Sequence, residues 1–389
     1  MARARVYLDW NATSPLLPAA REALVAALDA FGNPSSVHAE GRRARALVEA
    51  ARSQVAALAG VAPGGVTFTS GGTEAANLAL TPWLVPAGER PCDLLLVAAG
   101  EHACVLEGHR YAPDCVRAAP LDADGVLDLH ALETMLEQAG DARVMLALQA
   151  ANNETGALQP VREAAALVHA RGGVLVCDAV QGAGRIDVRA ATLDADAVIL
   201  SAHKIGGPKG VGALALRAAD ANMNMRLVRG GGQERNLRAG TENVAGIAAF
   251  GVAAEWALRE RDAEMARLAV LRDDMEKRLT SALPGLTVFA SAAPRLANTS
   301  AFALTGAPAA TLLIGLDLEG FAVSSGSACS SGKVKASHVL AAMGVAPDIA
   351  SGAIRVSLGR ETAAADVTGF ADAFVRVASR MAERRKSAA

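Results

Sequence analysis

Aromatic side chains are scarce in this 389-residue chain: three tryptophans, two tyrosines and eight phenylalanines, 3% of the whole. The interior must therefore be built from alanine, leucine and valine, and hydrophobic residues at 52% supply enough of them for a large core. Cysteine is scarce as well. Cys92, Cys104, Cys115, Cys177 and Cys329 are odd in number and form no CxxC pair, which argues against a disulfide framework or a structural zinc site and for a reducing cytoplasm. No apolar run approaches the roughly 20 residues of a membrane span. The start, Met1 to Asp9, carries two arginines with no apolar stretch behind them, so no secretory signal is visible. An excess of either charge is also missing. Lys plus Arg number 38 against 40 Asp plus Glu, a net charge of -2, so no basic surplus points to nucleic acid and no acidic tail to a solvating role. A charged fraction of 20% and a mean hydropathy of +0.25 exclude a mostly disordered chain, and the length suggests two or three domains. What remains is a globular protein acting on something small.

The pattern along the chain is of strands alternating with helices. Leu24, Leu28 and Phe31 at helical spacing predict a helix over Ala19–Phe31, and a second is expected over Gly41–Ala59. Short apolar strands are expected at Val66–Thr69, Leu94–Ala98, Val144–Leu148, Val174–Cys177 and Ala197–Leu200, with helices at Thr73–Leu80 and Val161–Ala170 between them. Continuous apolar strands in a βαβ rhythm predict a parallel sheet covered on both faces. A long charged helical stretch, Gly246–Leu283, leads to a C-terminal α+β part with strands near Leu286–Ala290 and Ile354–Leu358 and a final helix, Ala363–Ala382.

Polar residues gather where these strands end, which in open α/β sheets is where ligands bind. Val66–Thr69 runs into Ser70-Gly71-Gly72-Thr73-Glu74, Leu94–Ala98 into Glu101-His102, and Val144–Leu148 into Asn152-Asn153-Glu154. Val174–Cys177 is followed by Asp178 and Gln181, and Ala197–Leu200 by Ser201-Ala202-His203-Lys204. One such end is ordinary; five predict a composite pocket. Gly-Gly-Thr before a helix reads as a tight turn or as a phosphate cradle, because glycine lets the backbone approach and the helix start offers free N–H groups. Asp178 reads as a turn residue or as a carboxylate facing a ring nitrogen. Lys204 reads as a solvated charge or as an imine-forming amine. Together, an amine, an acid and a phosphate cradle are the parts of a pyridoxal phosphate site. Cys329 sits in Ser324-Ser325-Gly326-Ser327-Ala328-Cys329-Ser330-Ser331-Gly332 with Lys333 and Lys335 nearby, the setting of an exposed nucleophile rather than of a core thiol. Cys177 is read as core, and Cys92, Cys104 and Cys115 as structural by default, although Cys104 lies close to the proposed site.

These segments, taken in order, resemble the pyridoxal-phosphate-dependent cysteine desulfurases of the NifS/IscS type, within the class V aminotransferases. The resemblance rests on Tyr7-Leu8-Asp9 with Asn11-Ala12-Thr13, Phe31-Gly32-Asn33-Pro34-Ser35-Ser36, Thr69 through Glu74, Glu101-His102, Asn152 through Gly156, Asp178-Ala179-Val180-Gln181 and Ser201 through Lys204. It continues through Gly206-Gly207-Pro208-Lys209-Gly210, Gly230 through Arg235, Arg238-Ala239-Gly240-Thr241, Ser324 through Cys329, and Ile354 through Arg360. The Cys loop and Arg-x-Gly-Thr are similar to the NifS and IscS subgroup rather than to the SufS-like one. Trp10 and Lys333-Val334-Lys335-Ala336 depart from the family pattern; they bear on partner docking and do not touch the cofactor residues.

The resemblance implies a fold-type-I pyridoxal phosphate transferase. It has a large domain over 13–260 with a mostly parallel seven-stranded sheet, and a smaller α+β domain of 1–12 plus 261–389 carrying the Cys329 loop. It implies catalytic Lys204, Cys329 and His102. The cofactor would be held as a Schiff base on Lys204, with Gly72, Thr73, Ser201 and His203 on the phosphate, Asp178 on the ring nitrogen, His102 on the ring face, and Gln181 and Asn153 beside it. Thr241 would reach the phosphate of a neighbouring copy, implying a homodimer. Arg355, helped by Asn33 and Asn153, would take the substrate carboxylate. L-cysteine would give L-alanine and a persulfide on Cys329, passed on to an acceptor such as an iron–sulfur scaffold. No metal site, nucleic acid or membrane is expected, although Cys329 could transiently ligate a cluster. A selenocysteine lyase, a plain aminotransferase and a non-catalytic binder on the same fold are the alternatives. A thiol has no use in a plain aminotransferase, and a binder would be expected to lack the lysine or the cysteine.

Overall fold

The computed structural model describes residues 5–86, 88–218, 223–325 and 336–388. Its strands are β1 (Val6–Tyr7), β2 (Val66–Thr69), β3 (Leu94–Ala98), β4 (Val116–Ala119), β5 (Val144–Gln149), β6 (Val174–Asp178), β7 (Ala197–Ser201), β8 (Gly212–Leu216), β9 (Leu286–Val288), β10 (Thr299–Leu304), β11 (Phe321–Ala322) and β12 (Ala353–Ser357). Seven of them form one sheet in the order β2-β8-β7-β6-β5-β3-β4. All neighbours in it pair parallel except β8, which runs antiparallel to both β2 and β7. The mostly parallel seven-stranded sheet is therefore present. The all-parallel rhythm read from the strand pattern fails at β8, whose Gly-Ala-Leu-Ala-Leu returns from β7 through a glycine-rich turn too short for a crossover helix.

The five strands of β2, β3, β5, β6 and β7 lie where their apolar runs placed them. Three extend one residue further, so that Gln149, Asp178 and Ser201 are the last residues of β5, β6 and β7. Because these three strands are adjacent and parallel, their polar ends converge. Both sheet faces are covered. One core joins Leu96, Leu146, Leu148, Leu175, Val198 and Leu200 to the helix over Ala39–Ala59 and to Phe250, and the other joins Leu95, Val97, Met145, Val176 and Ile199 to the helix over Gly72–Ala79.

The first helix corrects its expected span. It covers Pro18–Leu28, and Phe31 lies beyond it with 86% of its surface exposed; Leu28 is exposed too. The buried face is made by Ala20 and Ala27, whose small side chains let the helix lie against its neighbour; of the three larger apolar residues, Leu24 packs partly buried against the core while Leu28 and Phe31 do not.

A single helix of 39 residues, Val244–Ala282, runs from the first core to a third. Phe250, Ala253 and Ala257 pack under the large sheet, while Leu268, Met275 and Leu279 pack with Leu8, Phe302, Phe370 and Phe374 against the sheet β12-β10-β9. The N-terminal strand β1 pairs with β11 in that same unit. The closing helix covers Ala364–Ala388. No helix among the described residues is long and apolar enough to cross a membrane.

Candidate active site

The converging strand ends open into a cavity of about 290 Å³. Gly72, Thr73, His102, Asn153, Asp178, Gln181, Ser201, His203, Lys204 and Arg355 all line it, joined by Asn11, Ala12, Cys104, Gln149, Ala151 and Val180. Ten residues predicted from the sequence are thus brought to one place. Asn33 and Thr241 are not among them. Asn33 is exposed, with its Oδ1 accepting the N–H of Ser35 at 2.9 Å. Thr241 is exposed at a separate cavity of about 180 Å³, with Ser70, Gly210 and Arg238. Cys329 lies outside the described residues.

Lys204 follows β7 in a short turn, Ala202–Lys204. Its Nζ donates to the carbonyls of Asn11 at 2.7 Å and Ala12 at 2.9 Å, so the amine is aimed across the cavity by the N-terminal segment. That segment is itself tied down: Ser14 Oγ donates to the Lys204 carbonyl at 2.9 Å, and the Ser14 N–H donates to the His203 carbonyl.

Asp178 closes β6. Its Oδ1 accepts the Val180 N–H at 2.9 Å, and among the described residues no hydrogen bond engages Oδ2. Burial pushes this carboxyl above its ordinary value, while His102 and Lys204 pull it down. Glu101, with no exposed surface, is pushed well above its ordinary value by burial and then by Asp178. Its Oε1 accepts the Gln149 N–H, and its Oε2 has no partner among the described residues. Two buried carboxyls in mutual reach cannot both ionise cheaply. A cationic group placed at Asp178 would settle the charge on that residue.

At the other end lies an anion-binding corner. The helix Gly72–Ala79 starts at the cavity, and Ser201 and His203 flank it. The helix start can come this close because Gly212 of β8 packs against Gly71: a Cβ on Gly212 would sit 2.5 Å from the Gly71 carbonyl carbon. Burial, with Lys204 and Lys209, holds the His203 imidazole down to about 4, so it is neutral near pH 7.

His102 and Cys104 form a contact that sequence reasoning missed. Cys104, structural by default but close to the expected site, lines the cavity. His102 caps the short helix Ala103–Leu106, and its Nδ1 accepts the Cys104 N–H at 3.1 Å. The Cys104 Sγ lies 3.0 Å from the same nitrogen. A ring nitrogen that accepts a backbone N–H carries no proton, so the neutral ring bears its hydrogen on Nε2. Histidine ¹⁵N NMR is expected to show His102 as the Nε2–H tautomer, in Cys104→Ala as well because the backbone donor remains; an Nδ1–H signal would contradict this geometry. Nothing in the spacing of Glu-His-Ala-Cys alone announced the contact.

Thr241 is presented by a strained segment. Glu234, Arg235 and Asn236 have successive positive φ values of 45°, 52° and 64°, a conformation costing roughly 1–2 kcal/mol per L-residue. The buried Glu234 offsets that cost by accepting from Arg52 at 2.7 and 2.8 Å and from the Phe68 N–H at 2.8 Å.

An amine, a buried acid and an anion corner around one cavity, at the carboxyl ends of a mostly parallel sheet, define a cofactor-dependent α/β enzyme. The class-V aminotransferase profile matches residues 6–370, and the chain belongs to that pyridoxal-phosphate-dependent family. A relative from Cereibacter sphaeroides named cysteine desulfurase is 41% identical over 370 residues, 93% of each chain. One from Dictyoglomus turgidum named cysteine desulfurase IscS is 36% identical over 380 residues, 97% of this chain and 95% of that one. Among solved structures, a NifS-like protein from Rickettsia africae superposes with a TM-score of 0.86 at 32% identity, covering 96% of this chain and 99% of the other.

Proposed function

We propose that the chain is a cysteine desulfurase that takes sulfur from L-cysteine, leaves L-alanine, and carries the sulfur as a persulfide on Cys329. The observation that carries this reading is the single cavity holding Lys204, Asp178, His102, Arg355 and the anion corner together. The residues fit pyridoxal phosphate: an amine for its aldehyde, an under-partnered buried acid for its ring nitrogen, and Gly72, Thr73, Ser201 and His203 for its phosphate. When bound, the cofactor supplies an electron sink for charge released at the substrate Cα.

The chain's own residues supply the rest. Lys204 Nζ would hold the cofactor covalently and would be the group that moves the Cα proton. Asp178 keeps the ring nitrogen protonated. His102 would stack on the ring face, with Gln181 and Asn153 beside the ring hydroxyl and the substrate. Arg355 takes the substrate carboxylate, with Asn33 as a further expected contact. The Cys329 thiolate attacks the substrate sulfur: an S–S bond forms, the Cβ–S bond breaks, and the electron pair left on carbon is protonated as alanine departs.

Thr241, exposed and away from its own protomer's cavity, suits contact with a second copy's phosphate, which supports a homodimer. Two apolar cores under the large sheet and a separate one around Leu8 and Phe374 support the division into 13–260 and 1–12 plus 261–389. The thiols of Cys92, Cys104, Cys115 and Cys177 are all free, which suits the cytoplasm. The acceptor we expect is a protein such as an iron–sulfur scaffold.

Mass spectrometry after incubation with L-cysteine tests the reading. One added sulfur is expected on Cys329. Cys329→Ala is expected to retain the cofactor and to lose sulfide release by at least about a thousandfold. Sulfide release from that variant at the parent rate would end the proposal.

A further inference from the structure

We infer that Asp9 is a positioning residue for substrate recognition: it holds the Arg355 guanidinium so that one edge remains to receive the substrate carboxylate. This rests on the reading of Arg355 given above.

Arg355 stands on β12 with a side chain 4% exposed. Its Nη2 donates to Asp9 Oδ1 at 2.7 Å, and its Nη1 donates to the Asn153 carbonyl at 2.8 Å. Its Nε–H is buried and has no hydrogen-bond partner among the described residues. A guanidinium offers five N–H donors in a planar fork. Two anchors fix the plane of this one, and the Nε–Nη2 edge stays available for a bidentate carboxylate.

Asp9 is placed by backbone, not by chance. It forms a bridge with Ser357, its carbonyl accepts from Tyr7 Oη at 2.9 Å, and the Ser357 N–H donates to the Leu8 carbonyl next to it. The same few residues therefore aim two groups at the cavity, since Asn11 and Ala12 hold Lys204. An unanchored arginine would have to find the carboxylate from many rotamers, and that ordering is paid at binding.

The test compares Asp9→Ala, Asp9→Asn and Arg355→Leu as holoenzymes. Asp9→Ala is expected to raise KM for L-cysteine about tenfold with kcat changed less than about twofold, the loss of one charge-assisted hydrogen bond. Asp9→Asn, whose amide oxygen still accepts from Nη2, is expected to stay within about threefold of the parent. The inhibition constant of cysteamine, which lacks the carboxylate, should not move in either variant, whereas a general disturbance of the cavity would weaken both ligands. An unchanged KM in Asp9→Ala, an equal loss in Asp9→Asn, or a matching loss of cysteamine binding overturns the role of Asp9. An unchanged KM in Arg355→Leu overturns instead the role given to Arg355.

Discussion

Lys204→Ala is expected to lower kcat/KM by at least about a thousandfold, because among the described residues no other amine lines the cavity to hold the cofactor or to move the Cα proton. Lys204→Arg is expected to fail as badly. A guanidinium keeps the charge and the hydrogen bonds to Asn11 and Ala12 but cannot form an imine. Borohydride reduction followed by peptide mapping gives a direct check: the parent protein should carry a pyridoxyl group on Lys204 and both variants none. Substantial turnover by either variant, or labelling of another lysine, would show that the amine was misassigned.

Asp178→Asn separates activity from stability. A carboxylate that keeps a ring nitrogen protonated contributes on the order of the 10²–10⁴-fold typical of a positioned acid or base, so kcat should fall by about a thousandfold. The cofactor-free protein should respond in the opposite sense. The folded-state value of Asp178 is raised, so its contribution to stability is fully present below the unfolded-state value and is lost as pH rises through the folded one. Glu101 shifts in the same direction. An amide in place of Asp178 removes a buried carboxyl whose ionisation is disfavoured by its surroundings, and the thermal midpoint of the cofactor-free variant should equal or exceed that of the parent. A variant that is active, or one that melts well below the parent without cofactor, would remove Asp178 from its assigned place.

Much of this site was legible in the sequence because βαβ folding makes strand ends meaningful. Once Val144–Leu148, Val174–Cys177 and Ala197–Leu200 are read as neighbouring strands, Asn153, Asp178 and Lys204 must approach one another, and Thr73 joins them from β2, one strand further across β8. The resemblance named the roles; strand adjacency explains the geometry. What stayed hidden depends on contacts far apart in the chain. Asp9 lies 346 residues from Arg355, and no local pattern links them. Cys104 looks structural until the cap at His102 turns it inward. Glu101 stands among the strand-end polar residues, but nothing local shows that its carboxyl is wholly buried. The end of the first helix differs for the opposite reason: spacing pointed to Leu24, Leu28 and Phe31, and Leu24 does pack against the core, yet helix-to-helix approach fills the buried face with Ala20 and Ala27 and leaves Leu28 and Phe31 exposed.

The helix Val244–Ala282 touches both the sheet that carries Lys204 and the unit that carries Arg355. From Val252 to Ala282 it has neither glycine nor proline, so it offers no swivel. The amine and the guanidinium are thereby tied to opposite ends of one unbroken beam, which sets the gauge between them.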